Sequence, residues 1–336
     1  MSKHTNYFNA AVFVSVSALL GACGGGGGGG DGGNVTASSA PVAISATNAK
    51  EVAAASYKTT AGLEGGGSVP VDNIPFGAVI QTSSADIDLV GVLFSQAKTL
   101  PQLTLANGAA SLTGVVVSET IACSDGGSIT ITFDDADNDG QLSTGDSMSF
   151  SANNCAEPGT TMNGSVSMNG ISVSGNPDSF PYSMQLSIQA NNFTVTESVE
   201  SIALNGGMTV SESTSDGVLF THSIAGSSIQ VTEGGVSASL TNFNIQSTEE
   251  TLVYTFDLNA TVSSTDIGGS VTIVTDTIFQ GDSLADYPSS GQATITGANN
   301  SRVTLIAMGP DNVRLEIDED GNGTAETFID TTWGAL

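Results

Sequence analysis

A twelve-residue stretch in the middle of the chain places oxygen-bearing groups at alternate positions and again at its last residue. These groups belong to Asp135, Asp137, Asp139, Gln141, Ser143 and Asp146, with Gln141 contributing its backbone carbonyl. Calcium takes six to eight oxygen ligands, and Gly140 permits the sharp turn that lets one short segment surround the ion. The pattern therefore predicts a Ca²⁺ site. A solvated hairpin loop would use the same Asp, Asn and Gly residues, so both interpretations stay open.

This spacing resembles the calcium loop of EF-hand and dockerin proteins, with oxygens at positions 1, 3, 5, 7, 9 and 12 and glycine at position 6. It departs from the EF-hand pattern at position 12, where Asp146 stands in place of the longer glutamate that binds through both oxygens. The flanking segments also have strand patterns instead of helical ones. The resemblance covers this loop alone and implies calcium as the ligand, without settling selectivity over magnesium.

A second acidic loop lies near the C-terminus and resembles the shorter calcium loops found between strands in integrin-type propellers and bacterial surface proteins. Its candidate ligands are Asp318, Asp320, Asn322, Thr324 and Glu326. Position 12 of this loop is Ile329, so the longer EF-hand pattern does not apply. A plain turn between strands is the competing interpretation.

Catalytic chemistry has little support in the sequence. His222 is the only histidine beyond residue 22, and no nucleophile elbow, zinc motif or phosphate-binding loop accompanies it. We expect His222 to be a partly exposed strand residue with no catalytic role. A glycosidase would need only two carboxylates, but neither Glu249-Glu250 nor any other pair is marked out. The sequence therefore favours a protein that is not an enzyme.

The N-terminus has the pattern of a signal peptide. Lys3 precedes an apolar stretch, residues 10–20, that is too short to cross a bilayer. The stretch ends in Leu20-Gly21-Ala22-Cys23, which resembles the lipobox of bacterial lipoproteins. The resemblance implies cleavage after residue 22 and a lipid on Cys23. Gly24, where aspartate would retain such proteins at the inner membrane, favours the outer membrane, on a periplasmic or cell-surface face that the sequence does not distinguish.

Charge and cysteine content narrow the possible partners. The chain has 6 basic and 34 acidic residues and a net charge of −28, which excludes nucleic acid as a partner. The lipid is the expected membrane contact, and a protein or glycan partner is unspecified. In an exported protein, Cys123 and Cys155 are expected to form a disulfide.

These cysteines would close the base of a hairpin whose tip is the first acidic loop. The apolar residues of its two arms face one side if Ile131 lies opposite Met148 and Ile129 opposite Phe150. Continuing this pairing would leave Cys123 and Cys155 out of register by one residue, so we expect a bulge at Gly126-Gly127.

Patterning divides the chain into three parts. Residues 1–22 form the signal peptide, the Gly-, Ser- and Ala-rich residues 23–66 are expected to be a flexible tether, and residues 67–336 a single β-rich domain. One short N-terminal helix is expected from Ser84 as its N-cap, with Ile87, Val90, Phe94 and Ala97 on its apolar face, to just before Pro101.

Most of the remaining sequence alternates apolar and polar residues, as in residues 183–190, 254–262 and 313–318. We expect turns at Asn163-Gly164, Asn169-Gly170, Asn205-Gly206-Gly207, Asp216-Gly217, Gly234-Gly235 and Gly268-Gly269. The predicted fold is an all-β antiparallel meander that closes into a barrel or a sandwich.

Three functional classes fit these observations. The first is a lipid-anchored envelope protein with a calcium-stabilised β-domain and a binding or structural role of the adhesion type. The alternatives are a carrier of an apolar ligand such as a lipid, and a hydrolase of envelope polysaccharide.

Overall fold

The computed structural model describes residues 38–61, 79–81, 86–88, 115–137, 143–175, 179–197, 200–233, 236–283 and 285–336. The predicted signal peptide, residues 1–22, and the predicted lipidation site Cys23 lie outside these ranges. Within them, no helix combines the length and the apolar character needed to cross a bilayer.

The described chain is dominated by one antiparallel sheet of fourteen strands, in which each strand pairs with its neighbours in the sequence. The strands are β3 (Val115–Ala122), β4 (Gly126–Asp135), β5 (Ser147–Glu157), β6 (Thr160–Gly175), β7 (Tyr182–Glu197), β8 (Glu200–Thr214), β9 (Leu219–Glu233), β10 (Val236–Glu250), β11 (Val253–Ser264), β12 (Gly269–Asp282), β13 (Ser290–Thr296), β14 (Arg302–Ala307), β15 (Asn312–Asp318) and β16 (Thr327–Thr332). A separate small sheet pairs β1 (Val79–Gln81) with β2 (Asp86–Asp88).

This architecture confirms the predicted all-β antiparallel meander. The strand order runs from β16 to β3 without returning, so the sheet is open and its end strands are not paired to each other. The strand pairing described here is thus not that of a closed barrel.

Alternation along the strands places apolar side chains on one face of the sheet. Leu186, Val210, Ile245, Leu258 and Leu315 are completely or almost completely buried there, while the polar residues between them face outward. The buried residues of β4 to β15 form one continuous apolar cluster together with the helix described next. Two short 3₁₀ turns, Ala298–Asn300 and Trp333–Ala335, complete the described elements, and Trp333 is buried in the same cluster.

Helix α1 (Ala49–Ala61) lies in the segment that composition assigned to the flexible tether. Residues 38–61 are thus structured, and this part of the tether interpretation is corrected. Ala49, Val52, Ala53 and Tyr57 recur at helical spacing and are buried against the sheet. Oδ1 of Asn48 accepts the N–H of Ser45 at 2.8 Å, as the back-reaching side chain of a capping box does.

The helix expected from Ser84 is wrong at its start, because residues 86–88 form strand β2. Ile87 pairs with Ile80 of β1 and contributes to a strand instead of a helical face. The rest of that predicted helix, residues 89–100, lies outside the described residues. A periodic apolar pattern of this kind cannot by itself exclude pairing with a neighbouring extended segment.

Three of the expected turns are inside strands. Asn163-Gly164 and Asn169-Gly170 lie within β6, and Asn205-Gly206-Gly207 lies within β8. Turns do occur at Asp216-Gly217 and at Gly268, whereas Gly234-Gly235 lies outside the described residues. The three sites inside strands were predicted as turns because glycine and asparagine tolerate the left-handed backbone of a β-bulge as well as that of a turn.

These bulges form a line across five neighbouring strands, β4 to β8, which we call the bulge line: Gly127, Asn154, Gly164, Asn192 and Gly206. The φ angles of Asn154 and Asn192 are both 46°. The Asn154 N–H donates to Oδ1 of Asn163 at 2.7 Å, and the Asn192 N–H donates to Oδ1 of Asn205 at 3.3 Å. The same device is therefore repeated in the β5–β6 and β7–β8 hairpins.

Candidate metal centre

The hairpin of β4 and β5 carries the first acidic loop at one end and the cysteine pair at the other. Its last strand pair is Asp134 with Ser147, so the tip spans Asp135 to Asp146 as predicted. The Cα atoms of Cys123 and Cys155 are 5.4 Å apart, and their sulfur atoms are at bonding distance. Cys123 lies in the turn between β3 and β4. Closing a loop of this length contributes about 3.5 kcal/mol in the chain-entropy description.

The register of this hairpin differs from the predicted one by two residues. Ile131 pairs with Phe150, and Phe133 pairs with Met148. A shift of two preserves the face on which each side chain lies, so the apolar residues still point inward. The register does change between Gly126 and Ser128, where the bulge was expected. Gly127 is required there because a Cβ atom would lie 1.9 Å from the carbonyl oxygen of Asn154.

The hairpin tip brings three of the predicted ligands together. Carboxylate oxygens of Asp135, Asp137 and Asp146 all lie within 4.8 Å of one another. Asp135 and Asp146 are buried, whereas Asp137 is exposed. Such a cluster of oxygens is the kind of donor set that a hard cation takes.

Asp146 also ties the two ends of the loop together. Its Oδ1 accepts the N–H of Ala136 at 2.9 Å, and its Oδ2 accepts the N–H of Ser143 at 2.6 Å. Burial raises the pKa of Asp146 above its ordinary value despite these bonds, and the nearby Asp135 raises it further. The site therefore disfavours negative charge, and a bound cation would relieve this cost.

Of the three remaining predicted ligands of this loop, the structure describes only Ser143. The Ser143 hydroxyl donates to Oδ2 of Asp137 at 3.1 Å, which brings it to the cluster. Asp139 and Gln141 lie outside the described residues, so the complete coordination set stays a prediction.

The loop is also attached to β6. The Thr144 hydroxyl donates to the carbonyl oxygen of Val173 at 2.9 Å and accepts the Val173 N–H at 2.8 Å. The N–H of Gly145 donates to the carbonyl oxygen of Ile171 at 3.0 Å. These bonds hold the C-terminal half of the loop, which carries Ser143 and Asp146, in place without the help of an ion.

The second acidic loop joins β15 to β16 and also gathers its carboxylates. Oxygens of Asp318, Asp320 and Glu326 lie within 4.8 Å of one another. Asp318 accepts the N–H groups of Asn322 and Gly323 at 3.0 and 2.8 Å. These five residues therefore form a turn stabilised by side-chain bonds to its own backbone.

The other two predicted ligands of this second loop, Asn322 and Thr324, are hydrogen-bonded within it. Nδ2 of Asn322 donates to Oδ2 of Asp320 at 3.0 Å, and Oδ1 of Asn322 accepts the N–H of Thr324 at 2.8 Å. Arg302 lies 3.9 Å from Asp318 and already supplies positive charge. The first loop, where no such cation is described, is thus the better candidate for a metal.

The sequence predicted a partly exposed His222, and this prediction is wrong: the residue is only 4% exposed. It lies on the inner face of β9, and its Nδ1 is 3.9 Å from a carboxylate oxygen of Glu212 on β8. The Tyr182 hydroxyl on β7 donates to the other Glu212 oxygen. Phe220 stacks on the imidazole, and burial lowers the pKa of His222 to about 4.

Sequence reasoning did not single out Tyr182 or Glu212. Both occupy inward positions in alternating strands, and Glu212 is paired directly across from His222. A signal was present, since Glu212 interrupts the apolar face begun by Met208 and Val210. The register that brings it to His222 depends on the bulge between Gly207 and Thr209, which the sequence pattern did not reveal.

Comparisons with known proteins do not assign the chain to a family: no family model, curated protein or solved structure matches it.

Proposed function

We propose that this chain is a lipid-anchored protein of the outer membrane whose β-domain is stabilised by calcium, with a binding or structural role of the adhesion type. The observation that carries the proposal is the cluster of Asp135, Asp137 and Asp146 at the tip of a hairpin. The lipid on Cys23 rests on the lipobox resemblance.

The geometry of the hairpin favours cation binding. The cysteine pair closes its base, and Thr144 and Gly145 attach one side of the tip to β6. A preorganised loop loses less conformational freedom when it binds an ion. Three carboxylates this close repel one another unless they are neutralised, so calcium would stabilise the folded state over the unfolded one.

Calcium should therefore raise the melting temperature of the full-length chain. At a concentration 100 times the dissociation constant, the ion would add about 2.7 kcal/mol to the free energy of unfolding, a shift of several degrees. Differential scanning calorimetry in chelator and in millimolar calcium measures the shift. In Asp137→Asn the calcium-dependent shift should be largely lost, since this exposed carboxylate is a proposed ligand and is not packed in the core.

Asp125→Asn is the matched control, because Asp125 is an exposed acid in the turn at the opposite end of β4. It should keep the full calcium response. An unchanged melting temperature in the wild type, or equal shifts in Asp137→Asn and the wild type, would contradict a calcium site in this loop. Parallel measurements with magnesium determine the selectivity that Asp146 at position 12 leaves open.

The lipid anchor has its own test. Metabolic labelling with a radioactive fatty acid should label the wild-type chain, and Cys23→Ser should accumulate as an unlabelled precursor. Cys123→Ser is the control because this cysteine is expected to be in the disulfide. Equal labelling of Cys23→Ser and the wild type would show that Cys23 is not the lipidated residue. The carrier and polysaccharide hydrolase alternatives are favoured by no particular contact in the described structure.

A further inference from the structure

The outer face of strands β5 to β10 carries no charge between its ends. Acidic and basic residues of these strands occupy two kinds of position: at or next to a strand end, or, for Glu212 and His222, on the buried inner face. The sequence contains no lysine or arginine between Lys98 and Arg302. We call this surface, built from Ser, Thr, Asn and Gln, the neutral face.

The fold permits charged side chains on the outer side of the sheet. On β15 and β16, Arg314 and Asp330 form an outward ion pair at 2.7 Å. The neutral face therefore differs in chemistry from the other end of the same sheet. It does so in a chain with a net charge of −28, where an evenly distributed surface charge would reach these strands.

The acidic residues missing from the neutral face lie along its borders. At one border, the sequences of β5, β7 and β9 each end in a glutamate. At the other border, Glu250 ends β10, and Asp216 lies in the turn between β8 and β9. Two acidic borders thus enclose an uncharged surface and repel anionic polymers and anionic lipid headgroups.

Hydroxyl groups on the outer side of the sheet pair across strands. The hydroxyls of Ser187 on β7 and Thr209 on β8 are 3.3 Å apart, and those of Thr248 on β10 and Thr255 on β11 are 2.7 Å apart. Such groups recur about every 4.8 Å across strands and about every 6.7 Å along them. Each hydroxyl both donates and accepts, and its rotamer is restricted by its neighbour.

We propose that the neutral face binds a neutral polysaccharide that lies across β5 to β10. An uncharged polyhydroxylated chain matches a dense array of uncharged donors and acceptors, and it is not repelled by the acidic borders. A second copy of this protein would bring like-charged borders together, and an apolar partner would leave the hydroxyls unsatisfied. The proposal deepens the binding role proposed above but depends on neither the lipid nor calcium.

The test uses the full-length chain in a detergent that has no sugar headgroup. Titration calorimetry and affinity electrophoresis measure binding to dextran, hydroxyethyl cellulose and chito-oligosaccharide, with alginate as the anionic comparison. At least one neutral polysaccharide should bind, and alginate should not. Backbone hydrogen exchange should slow in β6 to β9 when the neutral polysaccharide is present.

Ser187→Arg should weaken this binding at least tenfold, because a long charged side chain stands where the polymer must approach closely. Thr304→Arg is the control: Thr304 is an outward residue of β14, lies opposite Glu316, and is away from the neutral face. Both variants should melt within a few degrees of the wild type, since both positions are on the outer face.

Three results would overturn the proposal: binding to none of the neutral polysaccharides, equal binding in Ser187→Arg and Thr304→Arg, or tighter binding to alginate. Self-association of the wild type that Ser187→Arg abolishes without polysaccharide would assign the face to a second copy instead. Because calcium and Cys23 are not involved, binding that persists in chelator and in Cys23→Ser separates this inference from the proposed function.

Discussion

At the scale of single residues, the described structure contains a buried ionisable pair that the sequence pattern did not predict. Residue spacing did predict the cluster of Asp135, Asp137 and Asp146, because all three lie in one short loop. The contact between His222 and Glu212 depends instead on the pairing of two strands. Local spacing reveals sites made by one segment, whereas sites made by neighbouring strands require the register.

Burial of His222 makes the stability of the fold depend on pH. Its pKa falls from an ordinary value of 6.5 to about 4. The unfolded chain therefore takes up a proton near pH 6.5 that the folded chain refuses until about pH 4. The stabilisation is complete above pH 6.5 and is lost as the pH falls through this range.

His222→Gln keeps a neutral polar group but cannot titrate. Between pH 7 and pH 4, the wild type should lose about 3 kcal/mol of unfolding free energy relative to this variant, at about 1.4 kcal/mol per unit of pKa. Urea unfolding at several pH values measures the difference. Tyr182, Glu212 and Glu249, the other titratable groups on this part of the inner face, are common to both proteins. Parallel stability curves would show that His222 is not the source of the dependence.

At the scale of elements, alternation predicted the strands well, but asparagine and glycine were ambiguous. Asn163-Gly164 and Asn205-Gly206 lie at the bulge line inside β6 and β8, where they do not end a strand. Helix α1 was missed because its buried face contains mostly small residues, which made the segment resemble a tether. Its position against β10, β11 and β12 depends on packing that no local pattern expresses.

Gly164 and Gly159 offer a matched test of the bulge line. Their φ angles are +88° and +86°, so alanine is strained equally at both. A Cβ at Gly164 would lie 2.1 Å from the carbonyl oxygen of Asn192, whereas none of the surrounding atoms lies within 4 Å at Gly159. Gly164→Ala should therefore destabilise the fold by about 2 kcal/mol more than Gly159→Ala in denaturant unfolding. Equal losses would mean that the close approach at the bulge line is not required.

At the scale of the whole molecule, the charge is strongly unbalanced: 34 acidic residues against 6 basic ones. Composition alone predicted the resulting repulsion of anions. It did not predict that six consecutive strands carry no charge on their outer face between the strand ends, because this arrangement depends on which strand positions face outward.

Self-repulsion of this net charge should make stability depend on salt. The screening length falls from about 30 Å at 0.01 M to about 3 Å at 1 M. In chelator, the melting temperature should therefore rise as sodium chloride increases over this range. Choline chloride should have the same effect if screening is the cause. A melting temperature that is constant, or that rises with sodium alone, would rule out general self-repulsion.

The meander and helix α1 together imply an order of assembly. Each strand of the sheet pairs with a segment close to it in the chain, so pairing can proceed strand by strand once the chain has been exported. The segment that precedes α1 must wait, because the Ile44 N–H donates to the Ser301 hydroxyl and the Ala46 N–H donates to Glu319. The first described part of the chain thus completes its contacts only after β15 has formed, and until α1 docks the aromatic rings of Phe256, Phe279 and Trp333 lack their partner Tyr57. The exported chain would need a chaperone most before this late step.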